Sequence, residues 1–283
     1  MPDDFTNTFK RLNRTAFAAL LAFLLIPNAS TANAAEDTNV GKIQLAYQLN
    51  LAGFRFARIY MNSYIQGDNY RVDLTAKSSS FAKLYPFHGT SRSIGTMVGD
   101  QAQSTTYNLT YETVSRNRQV DLAFSGTNVT DVDIQPPAGS PVGRAPLLPE
   151  HREDVSDPIS AFILPFGDGE PDGAQACNRE QEIFDGRHRF KISMNYIRTI
   201  SRPSTERPGN MVPVFVCSLK YTPIAGHRIN RDNEMFDWAN NDGVEFWLMP
   251  VYVARVFVPI YGSFPTPLGN AVFQTNSMVI KDF

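Results

Sequence analysis

The residues of this chain best suited to chemistry are four histidines, His88, His151, His188 and His227, and two cysteines, Cys177 and Cys217. No two histidines have the HxH or HExxH spacing that points two imidazoles at one metal ion. Each sits in or beside a turn, so solvated side chains are expected. A nucleophilic serine on a GxSxG elbow, a phosphate-cradling P-loop and a GxGxxG turn opening a helix are all missing from the sequence. The acidic group Glu150, Glu153, Asp154 and Asp157 lies in an irregular connection and reads as a solvated rim. The segment Gly167–Gly173 places acids at alternate positions like a calcium loop but lacks the bidentate glutamate such a loop needs. No metal ligand, cofactor or catalytic residue is therefore assigned. If bonds are made or broken, the site must be assembled from residues far apart in sequence, with His88, Asp185 and His188 as the first suspects of an envelope hydrolase.

Two aromatic clusters carry more information. Phe81–Gly89 sets Tyr85 and Phe87 around Pro86, and Glu245–Val253 contains Phe246, Trp247 and Tyr252. A β core absorbs such rings. A sheet too wide for its side chains to fill the concave face instead leaves room for an apolar ligand. These five rings are the candidates for a ligand face or core.

The elements that must position them follow from alternation. Ile43–Leu49, Phe54–Met61 and Tyr70–Ala76 alternate apolar and polar residues and are separated by Gly53 and by Gly67-Asp68-Asn69. This predicts a meander. Arg92–Val98 leads through Gly99-Asp100 into Gln101–Tyr111, and Gln119–Phe124 and Asn128–Ile134 flank Ser125-Gly126-Thr127, another hairpin signal. Gln135–Asp154 holds five prolines and reads as a long connection, unable to pair centrally in a sheet. After it, Ser156-Asp157-Pro158 suits a helix start, with Ile159–Leu164 as a short apolar helix over one open end of the sheet. Gln181–Phe184 turns at Asp185-Gly186, which suits a type I′ turn, into His188–Arg198. Thr199–Asn210 reads as a loop, and strands follow at Met211–Tyr221, Glu245–Met249, Tyr252–Val258 and Leu268–Val279. The prediction is mainly β: a large curved antiparallel sheet, an open barrel or β-spiral, with one or two short helices. The proline-rich connection 135–154 could also separate two subdomains.

The first residues fix the expected compartment. Lys10, Arg11 and Arg14 precede the uncharged run Thr15–Pro27, and Ala32-Asn33-Ala34 supplies the small residues that signal peptidase accepts. Residues 1–34 read as a signal peptide, cleaved between Ala34 and Ala35, with 35–283 as the exported β domain. The leader's apolar run is shorter than the roughly 20 residues a bilayer crossing needs, and no later segment is apolar enough to span. In an oxidising lumen the Cys177/Cys217 pair is expected as a disulfide. Without Lys10, Arg11, Arg14, Asp3 and Asp4 the chain keeps 23 basic and 26 acidic residues. That balance gives no footing for nucleic acid.

Several ordered motifs resemble a known family. They are the opening strand with the Gly53 turn, Lys83-Leu84-Tyr85-Pro86-Phe87, Asp157-Pro158-Ile159-Ser160-Ala161, Ile183–Phe190, Cys217, Tyr221–Gly226 and Leu248-Met249-Pro250-Val251. Together they resemble the domain of unknown function 3108 family, mostly exported proteins of Gram-negative bacteria, over most of residues 43–270. Arg187-His188-Arg189 departs from a run of arginines in that pattern. The resemblance implies export and a β fold, brings no catalytic residue, and invites comparison with lipoprotein-carrier-like and envelope β-spiral folds. The expectation is a non-enzymatic periplasmic protein that supports the envelope, binding a lipid-like ligand or an envelope protein on a concave sheet face. The alternatives are a protein–protein interaction module using the proline-rich strap Gln135–Pro149, and the non-local hydrolase.

Overall fold

A computed structural model describes residues 40–79, 86–137, 139–167, 169–229, 244–266 and 269–282. The leader with Ala34 and Ala35, and the segment holding Phe81 and Tyr85, lie outside the described residues.

Seven strands run as a continuous meander: β1 (Val40–Leu51), β2 (Phe54–Gln66), β3 (Asn69–Ser78), β4 (Phe87–Val98), β5 (Gln101–Thr113), β6 (Asn117–Ser125) and β7 (Asn128–Gln135). Each pairs antiparallel with the next. Glycines 53, 67, 99 and 126 take positive φ at the turns, where a side chain would be strained. The proline-rich connection then leads through two 3-10 turns, Pro149–Arg152 and Ser160–Phe162, to the two-residue β8 (Leu164–Pro165) and the short α1 (Gly173–Cys177). The remaining strands are β9 (Arg179–Phe184), β10 (Arg189–Pro203), β11 (Met211–Ala225), β12 (Glu245–Val251), β13 (Val256–Phe264) and β14 (Ala271–Asp282). One open antiparallel sheet contains them all, in the order β7-β6-β5-β4-β3-β2-β1-β14-β13-β12-β11-β10-β9, with β8 beside β13. The mainly β, open-sheet expectation is met. Strands from both sides of the proline-rich connection belong to this one sheet.

The sheet's ends, β7 and β9, do not pair with each other. They are bridged by a clasp, residues 155–163. The Val155 amide donates to the Thr127 carbonyl beside β7, at 2.8 Å, while Ser156 exchanges backbone hydrogen bonds with Glu182 and Phe184 of β9. The Ile159–Leu164 helix of the sequence reading is instead the single turn Ser160–Phe162 followed by β8. Pro158, Ile159, Phe162 and Ile163 turn inward to line a cavity rather than covering a rim. Asp157, expected among solvated acids, is fully buried. Its carboxylate accepts from the Ile159 and Ser160 amides at 2.7 and 3.1 Å, from Ser93 Oγ at 2.7 Å, and from Ser104 Oγ. Four donors replace the water a buried carboxylate loses.

Other boundaries also move. β10 continues to Pro203, pairing with β11 through residues 199–203, so the expected loop shrinks to residues 204–210. Residues 252–255 form a turn between β12 and β13, with Arg255 at φ 51°, where a strand was expected from Tyr252. At Asp185–His188 only Gly186 of the two central residues has positive φ. Type I′ requires positive φ at both central residues and is therefore not formed; the His188 amide instead donates to Asp185 Oδ1 at 2.7 Å. The Cys177–Cys217 disulfide is formed, with Cα atoms 5.4 Å apart, and pins α1 to β11.

Candidate ligand cavity

The inner face of the opening strands is apolar at period two: Ile59, Met61 and Ile65 on β2, Val72 and Leu74 on β3, Ile43 and Tyr47 on β1. On the other side stand Val256–Pro259 of β13 and the rings of Phe246, Phe264 and Phe273, and the clasp closes the third side. Between them lies a cavity of about 340 Å³. That size is at the lower end of small-molecule pockets.

Its wall is built of rings in contact. Phe246 and Phe273 have centroids 5.6 Å apart, Phe162 and Phe246 5.5 Å, and Tyr47 and Phe273 5.8 Å in an edge-on arrangement. Position 262 must be glycine for Phe273 to reach the cavity, because a Cβ there would stand 2.1 Å from the ring. The lining contains no carboxylate, imidazole, amine or thiol among the described residues. Its two hydroxyl-bearing side chains are Ser63 and Tyr47. The Tyr47 hydroxyl donates to the Pro259 carbonyl at 2.9 Å, and burial pushes its pKa upward, so it stays protonated. These walls can hold an aliphatic or aromatic group and offer it no reactive partner.

The polar network around Asp157 fixes the clasp against the sheet. Tyr70 Oη is hydrogen-bonded to Ser104 Oγ at 3.2 Å and Ser93 Oγ at 3.4 Å, and Ser104 Oγ lies 3.0 Å from Ser160 Oγ. Burial, then the Asp157 charge, raise the Tyr70 pKa to about 12, outweighing the serine hydrogen bonds. Asp157 belongs to the Asp157–Ala161 motif noted in the sequence. Two strands and the clasp supply its hydrogen-bond donors, and such convergence has no local signature.

Of the five aromatic candidates, Phe246 lines the cavity. Phe87 packs on Phe56 at 6.1 Å, at the start of β4. Trp247 pairs with Tyr261 at 4.5 Å beneath the Arg202 guanidinium, and its Nε1 donates to Glu245. Tyr252 sits in the β12–β13 turn against Phe166. Tyr85 lies outside the described residues. Of the hydrolase suspects, His188 Nδ1 and Asp185 Oδ2 are 2.9 Å apart. Burial works to raise the Asp185 pKa, but the His188 hydrogen bond and charge and the Arg187 and His188 amides together hold it below the ordinary value. His88 sits on β4 opposite Lys77 and Glu112. No hydrogen bond or ion pair among the described residues joins it to the Asp185–His188 pair.

A family model for proteins of unknown function, DUF3108, matches residues 46–274. The chain belongs to the DUF3108 family. The DUF3108 span takes in every cavity-lining residue except Ile43, together with the clasp, the disulfide and the Asp157 network. Comparison with curated proteins and with solved structures gives no match.

Proposed function

We propose that this DUF3108 protein holds a lipid-like or other hydrophobic ligand in its interior, as a non-enzymatic component of the bacterial envelope. The observation that carries the reading is the apolar cavity between β1–β3, β13 and the clasp, whose lining offers shape and hydrophobicity without a reactive group. The three-part leader ending at Ala34 supports work in the periplasm. A stable disulfide suits an oxidising lumen.

Native mass spectrometry of the protein purified from cell envelopes is the direct test. The expected result is an adduct of lipid mass that organic extraction removes, and uptake by the extracted protein of the neutral probe N-phenylnaphthylamine. Val72→Phe, which fills the cavity from β3, is expected to lower probe uptake at least fivefold with the far-ultraviolet spectrum unchanged. A protein that carries no adduct and takes up no probe would remove the ligand. N-terminal sequencing of the periplasmic fraction should begin at Ala35, and an intact leader on cytosolic protein would remove the compartment.

A further inference from the structure

A second cavity, of about 930 Å³, lies among the β5–β6 turn, the proline-rich strap, the β9–β10 hairpin tip and the residues after β11. Five arginines from these four segments line it: Arg116, Arg118, Arg144, Arg187 and Arg228. Among the described residues no carboxylate is part of its lining, and none of the five arginines forms an ion pair. The overall charge of the chain is −2, so this concentration is local and does not reflect a basic protein.

The strap is held in place as one wall. Arg144 and Arg228 form an antiparallel bridge. The Ala145 amide donates to His227 O at 2.8 Å, and the Gly226 amide to Ala145 O at 3.0 Å. Arg144 Nη1 donates to the Gly226 carbonyl at 2.7 Å, which fixes the guanidinium in the cavity wall. The acid of the hairpin tip is already committed: Asp185 accepts from the Arg187 and His188 amides at 2.8 and 2.7 Å and sits 2.9 Å from His188 Nδ1. Arg118 Nε and Arg187 Nε are buried with no hydrogen-bond partner among the described residues, and so is His227 Nδ1. The Arg187 pKa is lowered, by burial first and then by the charges of Arg118 and Arg144, so the like charges are close enough to repel.

Like charges brought together, with donors left unpaired, are unfavourable unless an anion joins them. Guanidinium groups present parallel N–H donors that match the oxygens of an oxyanion. Five such groups exceed the charge of one carboxylate and suit a multiply charged phosphate. We infer that this arginine-lined cavity binds a phosphate-bearing ligand, through Arg118 and Arg187, whose Nε atoms are buried and unpaired, together with Arg144 and Arg228 of the bridged strap. The phosphate belongs either to a soluble phosphate compound or to an anionic lipid headgroup. The site is separate from the apolar cavity and stands whether or not that cavity is filled.

Isothermal titration of the full exported chain at low ionic strength tests this, since salt screens such contacts. Inorganic pyrophosphate is expected to bind and raise the melting temperature. The double substitution Arg118→Gln/Arg187→Gln is expected to weaken binding at least tenfold. Its melting temperature without ligand should not fall, because removing like charges relieves repulsion. Arg228→Gln, at the edge, is the second variant should the double one fold poorly, and Arg58→Gln on β2 is the control. Flotation with vesicles of phosphatidylcholine containing phosphatidylglycerol separates the sources. Arginine-dependent flotation identifies a headgroup, and pyrophosphate binding without flotation identifies a soluble phosphate; either supports the site. Absence of binding to both, or binding that the substitutions leave unchanged, overturns it.

Discussion

The two arms of this sheet solve burial differently. From β2 to β7 most strands alternate, one face inward and the other to solvent; β7 buries no residue and carries Asp131 and Asp133 along the sheet edge. Such charges discourage another strand from adding there. From β11 to β13 both faces are covered. Val214, Phe215, Val216 and Cys217 are consecutive and none exceeds 3% exposure; Leu248, Met249 and Val251, and Val256, Phe257 and Val258, continue the pattern. The additional cover comes from β8, α1 and Phe166, gathered around the disulfide in a second core. The single-faced arm supplies a smooth apolar wall to the cavity. The double-faced arm supplies the rigid side against which that wall is held.

Removing the disulfide should separate the arms most. Cys177→Ser with Cys217→Ser is expected to cost about 4 kcal/mol by the loop-entropy argument for a separation of 40 residues. Hydrogen exchange should then quicken in β9–β13 and leave β3–β5 nearly unchanged; uniform quickening would mean the arms unfold as one. A truncation in the double-faced arm, Leu248→Ala, should cost about 3 kcal/mol, whereas Leu109→Ala on half-buried β5 should cost about 1 kcal/mol, both read from urea midpoints. Asp157→Ala strands the Ile159 and Ser160 amides and two serine hydroxyls. A loss of about 2–3 kcal/mol is expected, with faster release of any cavity ligand because the clasp loosens.

Alkaline pH acts on both arms. Tyr70 in the first and Tyr221 in the second have pKa values raised to about 12, each by burial first, with Asp157 and Asp185 respectively adding to it. The folded protein therefore keeps protons that the unfolded chain releases near the ordinary value of about 10. Stability should be full below pH 10 and fall as pH rises towards 12. Urea midpoints at pH 9, 10 and 11 should decline, less steeply in Tyr70→Phe. The smallest effect is expected on the open face: Ile94→Thr, 38% exposed on β4, should stay within about 0.5 kcal/mol.

The first arm was the more legible in sequence, for a physical reason. A half-solvated strand must alternate, and glycine turns mark several of the ends, so β1, β3 and β5–β7 stand within three residues of the pattern, while β2 runs five residues further to Gln66 and β4 starts five residues earlier at Phe87. In the double-faced arm the period disappears. The run from Phe246 to Val258 is apolar almost throughout, so the turn at residues 252–255 was hidden and Tyr252 was assigned to a strand. β10 was cut short because Thr199–Pro203 is polar, yet it remains paired with β11 where one side is open to solvent. Phe246 is legible because it stands in the ring-rich segment Glu245–Val253. The arginine cluster was invisible, since its five members span residues 116–228 and only the strap and hairpin bring them together.

The pairing of β1 with β14 sets a constraint on the order in which the molecule can be made. The first seven strands can zip together as neighbours while the polypeptide is still emerging, but the free flank of β1 has no mate until residue 271 arrives. For nearly the whole of synthesis a long, open row of amides and carbonyls stands next to an apolar surface, where a second nascent molecule could add. A late seam between the two chain ends also makes for slow acquisition of the native state, because its contacts are among the most distant in sequence. Until β14 arrives, that flank of β1 is where the nascent chain is most open to pairing with a foreign strand.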